Sequence, residues 1–455
     1  MKNIFRILSC LSLCLTAWLA PGLTARAQLQ QDTTDVRNLP IPLFKNVNRT
    51  AYYSDAKKLD QIKRLEQKQD WPALYKALKA YVNNFGIQNF YKDTYYLWRL
   101  AKLSELVGNP DEARMYYRLV LKHHRSDIDL RTIELHYNEL NKNEADLYVP
   151  LEYYYELVDY RRQVDTLMPP RSVLLNMGEN VNSYMEDYGP TLNFQNTLMI
   201  LTSKRNVQQV GIKKTVNEDL YFSELQDGVW SEAEPLEGIN SQFNEGSATI
   251  SRDGKTIYFS RCDSPDSYGS CDLFMASQQP DGRWGGVKNL GANLNSIAWD
   301  SHPSLSQTED TLYFASDRIG GFGMSDIWYS VRSRSGEWGP ARNAGPVVNT
   351  RHSEVSPFIH PRYNILYFSS NGQNLNFGEF DIFKSYWKWG RWGEPINIGP
   401  LVNGAGSEFY FTIDSEARDL YYAASKQDKM KTWTFTPFRC PWAPSRWPPP
   451  SSRAR

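Results

Sequence analysis

A Gly-x-Trp motif recurs at constant spacing through the second half of this 455-residue chain. Successive tryptophans are 54 residues apart each time, and they are Trp230, Trp284, Trp338 and Trp392. Unchanging spacing of this kind indicates copies of one structural unit, each packed against its neighbours. The second half of the chain is therefore expected to be a repeat structure.

Each unit contains several predicted short β-strands. An aromatic run, such as the one from Leu366 to Ser369, precedes a second strand that begins with an aspartate. The four repeated aspartates are Asp219, Asp272, Asp326 and Asp381. Asp-Gly and Ser-Gly pairs between the runs are hairpin signals, and hairpin repeats of about 40 to 55 residues are typical of propeller blades. These patterns predict an all-β propeller of about five blades over residues 185–430.

The equal spacing also predicts a structural role for the repeated tryptophans and aspartates. Indoles at equivalent positions would pack between neighbouring blades, where large aromatic side chains bury much surface. Stacking of the indoles against sugar rings is the alternative that the sequence leaves open.

An acidic residue follows five positions after a repeated asparagine in each of four units. These acids are Glu245, Asp300, Glu354 and Glu408. Equivalent positions of a propeller form a ring, so the four carboxylates could bind a cation or a basic peptide at the mouth of the central channel. The alternative is that each accepts hydrogen bonds from turn amides of its own or a neighbouring blade.

Two cysteines bracket a short loop rich in Asp, Ser, Pro and Gly. In an oxidising compartment Cys262 and Cys271 are expected to form a disulfide that pins this loop. A metal pair is the alternative, although the spacing is not Cys-x-x-Cys and no histidine lies nearby in sequence.

Residues 51–165 are rich in Leu, Lys, Glu and Tyr, and their apolar residues recur at intervals of three and four, which predicts helices. In the clearest unit one helix ends near Gly108, and Asn109 and Pro110 begin the next. This helix-turn-helix pattern resembles a tetratricopeptide repeat. The resemblance implies a protein-binding face, and the alternative is that the array only packs against the next domain. The adjacent His123 and His124 are expected at a helix end.

The two ends of the chain differ from its middle. Residues 1–27 have the layout of a secretory signal, with Lys2 and Arg6 before an apolar run and an Ala-x-Ala site at its end. Residues 28–50 are expected to be a linker. No later stretch is long and apolar enough for a membrane helix. The sequence therefore predicts export to the periplasm, with association to the outer membrane.

Residues 431–455 depart abruptly in composition, with prolines, tryptophans and basic residues but no acid. A shifted reading frame at the Met430 codon restores an Asp-Leu-Tyr strand about where the repeat requires one. We therefore predict that this tail is out of frame in a truncated longer protein. If the tail is genuine, the last blade is expected to lack strands and to expose an open edge.

The repeat units resemble those of TolB-like, WD-type β-propellers, and the best matches run from Glu245 to Phe274 and from Thr311 to Trp328. A secretory signal, a tetratricopeptide-like region and a propeller together resemble the front half of the PorE-type OmpA-family envelope proteins of Bacteroidetes. The resemblance covers most of residues 50–430. It implies an envelope scaffold associated with type IX secretion, which would reach peptidoglycan only through a C-terminal domain that this sequence lacks.

The net charge and the motifs of the sequence exclude several classes of function. The chain has 51 basic and 51 acidic residues, which gives no basic footprint for nucleic acid. Hydrolase elbows, zinc-protease motifs and P-loops do not occur in the sequence. His302, His352 and His360 could still converge with Asp300 and Glu354 on a metal. We expect an α+β multidomain, non-enzymatic scaffold without a cofactor that binds envelope proteins. The alternative is a periplasmic propeller enzyme, or a glycan- or peptide-binding protein, that uses the channel mouth.

Overall fold

The structure is a computed structural model, and it describes residues 40–125, 173–210, 213–374, 376–399, 402–404, 406–426 and 429–436. The predicted secretory signal, most of the linker, the second part of the helical region and the end of the tail lie outside these residues.

The helices that the structure describes occupy residues 56–123. They are α1 Ala56–Gln67, α2 Trp71–Val82, α3 Asn89–Lys92, α4 Thr94–Leu106 and α5 Pro110–His123. Asp55 and Asp70 cap α1 and α2 by accepting backbone N–H groups three residues on. Asn109 is the N-cap residue of α5, as expected, but its side chain donates to the Tyr75 hydroxyl instead of capping the helix.

Helix packing follows the predicted apolar periodicity. Leu74, Leu78, Leu97 and Leu100 have no exposed surface and belong to one apolar cluster. The contacts run from α1 to α2, from α2 to α4 and from α4 to α5. The helices are therefore confirmed, whereas their assignment as tetratricopeptide repeats stays a prediction.

The rest of the described chain is β-structure. The first strands are β1 Val173–Asn176, β2 Asp187–Leu192, β3 Leu198–Ser203, β4 Val207–Val210, β5 Lys213–Val216, β6 Asp219–Gln226, β7 Val229–Trp230, β8 Glu234–Pro235, β9 Asn244–Ile250, β10 Thr256–Cys262, β11 Cys271–Gln278 and β12 Trp284–Asn289. The remaining strands are β13 Asp300–Leu305, β14 Thr311–Ser316, β15 Asp326–Val331, β16 Arg342–Asn343, β17 Glu354–Ile359, β18 Ile365–Ser370, β19 Asp381–Lys388, β20 Arg391–Trp392, β21 Ile396–Asn397, β22 Glu408–Ile413, β23 Leu420–Lys426 and β24 Lys429–Thr436.

Antiparallel sheets are arranged as in a propeller. Sheet 1 has the order β2-β3-β6-β7 with β8 beside β6, sheet 2 is β9 to β12, sheet 3 is β13 to β16, and sheet 4 is β17 to β20 with β21 beside β19. A closing sheet has the order β22-β23-β24-β1. The first strands of the five sheets contact one another in turn, β2 with β9, β9 with β13, β13 with β17, β17 with β22, and β22 with β2. These inner strands surround the central axis.

The closing sheet differs from the other four because it combines two distant parts of the chain. About five blades were predicted, whereas four sheets each use one continuous segment and the last is composite. Strand β1 pairs with β24, with Val173 opposite Thr436. Strand β24 crosses the predicted boundary at residue 430 and pairs with β23 throughout. The expected open edge is therefore wrong, because backbone hydrogen bonds can extend a sheet whatever its side chains. The shifted reading frame stays a prediction.

The repeated aspartates organise the turn before the third strand of each sheet. The Asp272 carboxylate accepts the backbone N–H groups of Tyr268 and Gly269 at 2.8 and 3.1 Å. It also accepts the Asn289 amide at 2.7 Å. Asp326 and Asp381 likewise accept a turn N–H and an asparagine amide, whereas Asp219 accepts the side-chain amides of Asn206 and Asn217. These contacts agree with the structural role expected of the aspartates.

The repeated tryptophans lie between sheets. The Trp338 ring of sheet 3 is 6.0 Å from Tyr258 of sheet 2, and the Trp392 ring of sheet 4 is 5.9 Å from Tyr313 of sheet 3. Trp284 and Trp230 are partly buried beside the apolar clusters of their neighbouring sheets. The indoles thus fill the seams between sheets.

The predicted disulfide is present in the structure. Cys262 ends β10 and Cys271 begins β11, and the two are register partners in sheet 2. Their sulfur atoms are bonded, which closes the intervening loop.

The end of α5 is buried against sheets 3 and 4. The Lys122 ammonium lies 2.7 Å from the Glu394 carboxylate and 2.9 Å from the Val347 carbonyl oxygen. Burial lowers the pKa of His123 to about 3, and its neutral ring donates Nε2–H to the Pro346 carbonyl at 2.8 Å. These residues do form a helix end, as predicted, but contact with the sheets rather than the helix dipole accounts for them.

Aromatic packing makes the helices and sheet 3 share one core. The Phe322 ring, from the loop before β15, is 5.3 Å from Phe90 of α3 and 5.0 Å from His123. Asn48 and Asn343 exchange two hydrogen bonds of 2.7 and 3.0 Å beside this core. The helical unit therefore packs directly against the next domain, which was the alternative to a free binding face.

Candidate binding site in the axial channel

Each inner strand contains a bulge two residues after its first acidic residue. The bulge residues have positive φ angles of 61°, 50°, 56°, 50° and 56°, and they are Gly189, Ser247, His302, Ser356 and Tyr410. Strand pairing shifts register at these positions. Bulges re-aim side chains, and these five residues line a small cavity of about 40 Å³ at the axis.

The four predicted acids each lie two residues before a bulge residue. Glu245, Asp300 and Glu354 have no exposed surface. Their carboxylates accept the backbone N–H four residues earlier at 2.9, 2.6 and 2.8 Å, and Glu408 does the same at 2.9 Å. Asp187 is a fifth equivalent that the sequence analysis missed, since no Gly-x-Trp motif precedes its asparagine, Asn182.

Arginines form ion pairs with three of these acids, and one of them, Arg261, is itself buried. Arg205 lies 2.8 Å from Asp187, and Arg261 lies 2.7 Å from Glu245. Arg318 makes the same ion pair with Asp300. The acids do not form a ring of carboxylates at the channel mouth, because they bind turn amides and arginines within their own sheets. Their surroundings match the alternative prediction, in which each acid accepts hydrogen bonds from turn amides.

Glu354 differs from these three acids because sheet 4 has no arginine at the position of Arg205 and Arg318. Gly372 stands in its place, and a Cβ there would lie 2.0 Å from the Thr350 hydroxyl. Glu354 accepts hydrogen bonds from the hydroxyls of Thr350 and Ser370 at 2.8 and 2.6 Å. Burial, together with the nearby Asp326 charge, raises the pKa of Glu354 to about 8. Burial raises the pKa of Asp326 to about 6.

Aromatic rings gather at the axis around two of the bulge residues. The Tyr410 ring is 4.8 Å from Tyr188 and 5.0 Å from His302, and the Trp299 ring is 5.0 Å from His302. Sequence reasoning missed Tyr188, Trp299 and Tyr410, which lie at three different offsets from the repeated acid. Their residue types differ between repeats, so no motif marked them.

His302 is a neutral member of this group. Burial lowers its pKa to about 3. Its Nδ1 accepts the Ser356 backbone N–H at 3.2 Å, so the proton of the neutral ring is on Nε2. His360 is also buried, and its Nδ1 accepts the Arg362 N–H, whereas His352 contacts Arg351 near the helices.

No metal site forms from these histidines in the described part of the chain. Within it, no group of three or more His, Cys, Asp or Glu side chains is placed to hold a metal ion. The proposed convergence of His302, His352 and His360 with Asp300 and Glu354 therefore does not occur there.

Charged groups surround the aromatic cluster. The Lys204 ammonium lies 2.7 Å from Glu186 and 3.3 Å from Glu218, and 5.8 Å from the centre of the Tyr188 ring. Burial and the Glu218 charge raise the pKa of the Tyr188 and Tyr410 hydroxyls. Aromatic faces beside carboxylates favour a cationic group, and Lys204 occupies such a position.

The other end of the channel has a different character. A cavity of about 60 Å³ is lined by hydroxyl residues at one repeat position, Thr191, Thr249, Ser304 and Thr412. Beside it the Phe194 ring lies 3.9 Å from the Arg252 guanidinium and 5.1 Å from that of Arg362. Acidic groups accompany these arginines, since Glu416 forms an ion pair with Arg362 and Glu309 also lines the cavity.

Solved structures that match this chain do so with low sequence identity and low TM-scores. No protein-family profile matches the chain, and no curated protein matches it. A protein of Agrobacterium tumefaciens assigned as TolB is 14% identical with a TM-score of 0.35, covering 57% of this chain and 79% of its own. A glycoside hydrolase is 9% identical with a TM-score of 0.41, covering 67% and 100%. An α-L-arabinofuranosidase from Lactobacillus brevis is 12% identical with a TM-score of 0.37, covering 55% and 90%. Such values carry no inference about the activity of this chain.

The fold itself defines the class, a propeller-like β-protein with N-terminal helices packed on two of its sheets. None of the helices that the structure describes is both long and apolar enough to cross a membrane.

Proposed function

We propose that this chain is a non-enzymatic interaction protein of the cell envelope, exported to the periplasm and associated with the outer membrane. The observation that supports the proposal is the buried contact between α5 and sheets 3 and 4. Lys122 and Glu394 can be buried only while helices and sheets stay together, since either charge alone would be strongly unfavourable there. The helices and sheets therefore form a single unit to which partner proteins can bind.

The exposed side of the helices is the surface that we expect a partner protein to contact. Tyr95 on α4 is 49% exposed and Trp71 on α2 is 38% exposed, while the opposite sides of both helices are buried. Exposed tyrosine and tryptophan are the residues that most often anchor protein interfaces. A link to type IX secretion, and a tether to peptidoglycan through a further domain, belong to the same proposal and rest on the sequence resemblance.

Site-specific photocrosslinking in the native cell tests the proposal. A photoreactive residue at Tyr95 should form adducts with a small, reproducible group of envelope proteins. The same residue at Asp281, in the outer hairpin of sheet 2, is the matched control. Glu394→Ala should abolish the Tyr95 adducts while leaving export intact. Adducts with cytoplasmic proteins, or adducts that are equal at both positions, would contradict the proposal.

A second candidate function is recognition of a cationic peptide or a glycan at the axial channel. The cluster of Tyr188, Tyr410 and Glu218 supports it. Purified protein should then bind a lysine-rich peptide, and Tyr410→Ala should weaken that binding while Tyr95→Ala should not. Turnover of a glycan or peptide that is lost in His302→Ala would favour an enzyme instead.

A further inference from the structure

The outer hairpin of sheet 4 departs from its counterpart in sheet 1. Both hairpins have two-residue loops in the same register, with Gln226 opposite Val229 and Lys388 opposite Arg391. The loop residues of sheet 1 are Asp227 and Gly228, with φ angles of 51° and 81°. The loop residues of sheet 4 are Trp389 and Gly390, with φ angles of 48° and 77°. One turn type is thus built with very different first residues.

Trp389 is unfavourable at this position on two counts. Turns in which both central residues have positive φ favour Asn-Gly and Asp-Gly, whereas a bulky side chain is strained there. Burial does not compensate, because Trp389 is 74% exposed. An aspartate, as in sheet 1, would avoid both penalties. Strain retained at an exposed position indicates a role for the side chain outside the fold.

The hairpin holds a second exposed indole beside the first. Trp387 is 42% exposed and lies opposite Trp392, with ring centres 4.9 Å apart. Trp392 is buried in the seam between sheets 3 and 4, so it anchors the hairpin to the core. We call residues 387–392 the tryptophan hairpin. The exposed Trp387 indole packs on the buried Trp392, and the exposed Trp389 lies in the turn between them.

Charge also separates this hairpin from its counterparts. The corresponding hairpins of sheets 1, 2 and 3 carry Asp227, Asp281 and Glu337. The tryptophan hairpin carries Lys388 and Arg391, and no acid occurs between Asp381 and Glu394. The Lys388 ammonium lies 6.0 Å from the centre of the Trp389 ring. Cationic and aromatic groups are therefore presented together at the outermost strand of the sheet.

We infer that the tryptophan hairpin docks on an anionic lipid surface. Indoles partition into the headgroup region of a bilayer, where an apolar body and one polar N–H are both accommodated. Basic residues beside them bind anionic headgroups. A glycan site would need several hydrogen-bonding side chains beside the rings, whereas the hairpin has two polar side chains, Lys388 and Arg391, and both are cationic. The observations therefore favour lipid.

Vesicle flotation with the full chain tests the inference. Wild-type protein should float with vesicles of phosphatidylcholine mixed with phosphatidylglycerol, less with phosphatidylcholine alone, and less at high salt. Trp389→Asn should lower the partition coefficient about tenfold, because one buried indole is lost. Asn-Gly suits this turn, so the variant should remain folded with an unchanged or higher unfolding temperature. Lys388→Gln should weaken binding to the mixed vesicles only.

Val229→Ser in sheet 1 is the matched control. Val229 is the 62% exposed apolar residue of the equivalent hairpin, and its loss should leave flotation unchanged. Equal flotation of Trp389→Asn and wild type would overturn the inference. Equal binding to both vesicle types would overturn its electrostatic part. Binding to soluble glycan without flotation, or Trp389-dependent dimerisation without flotation, would assign the hairpin to another partner and overturn it as well.

Discussion

The ammonium group of Lys122 and the carboxylate of Glu394 lie 2.7 Å apart, and their side chains are 0% and 2% exposed. Burial lowers the pKa of Lys122, while the Glu394 charge raises it. The pair joins α5 to sheet 4 across 272 residues of sequence, from position 122 to position 394. Its charges therefore depend on each other and on the contact between helices and sheets.

Removing one partner of this pair should be costly. Glu394→Ala leaves the Lys122 ammonium buried without its carboxylate, and we expect the free energy of unfolding to fall by about 3–5 kcal/mol. Urea unfolding followed by circular dichroism measures the loss. Glu416→Ala is the matched control, since its ion pair with Arg362 is 41% exposed on both sides and should contribute less than about 1 kcal/mol. Equal losses in the two variants would contradict the argument.

Glu354 should make stability fall as pH rises. Its pKa is about 8 in the folded protein against 4.5 for an ordinary glutamate, so the folded state holds a proton that the unfolded state has released. The contribution to stability is therefore full below about pH 4.5 and is lost as pH rises to about 8, with a slope of up to about 1.4 kcal/mol per pH unit.

Glu354→Gln should remove that slope between pH 5 and 8, which urea unfolding at several pH values would measure. Glu416→Gln, an exposed site, should leave the slope unchanged. Asp326 remains in both variants and contributes its own decline between pH 3.8 and about 6. A Glu354→Gln protein with the wild-type slope would show that Glu354 is ionised in the folded state.

The Cys262–Cys271 disulfide should stabilise the folded state modestly. It closes a short loop, with a sequence separation of 9. The chain-entropy argument then gives about 2–3 kcal/mol, which the double variant Cys262→Ser, Cys271→Ser should lose. Unfolding with and without a reductant measures the effect. Wild type should become less stable on reduction, whereas the double variant should not respond.

Two tryptophans of neighbouring sheets should respond oppositely to substitution. Trp338 is 8% exposed and fills the seam beside Tyr258, so Trp338→Ala should cost about 3–5 kcal/mol of unfolding free energy. Trp389→Asn should cost nothing and should stabilise the hairpin by about 1 kcal/mol. Thermal unfolding of the two variants under one condition provides the comparison. A loss on Trp389→Asn would mean that its indole contributes to the fold.

Spacing in the sequence was enough to predict the repeated sheets, because copies of one unit must place residues such as Trp338 and Trp392 equivalently. Spacing establishes equivalence but not direction, so it left open whether Glu245 and Asp300 face the channel or their own turns. The bulge residues carry different side chains, and His302 and Tyr410 therefore share no motif. Nothing local marks Lys122 as the partner of Glu394, since that contact arises only when the helices pack on the sheets.

Pairing of β1 with β24 makes the folding of the β-region depend on the order in which its strands are synthesised. A growing chain that has reached residue 426 holds β22 and β23 but lacks the strand that joins them to β1. Strand β1 therefore waits, unpaired, for a segment more than 250 residues further along. Non-local closure of this kind is slow. Until residues 429–436 arrive, the exposed strand edges can pair with other chains, so protection during synthesis is part of what this architecture requires.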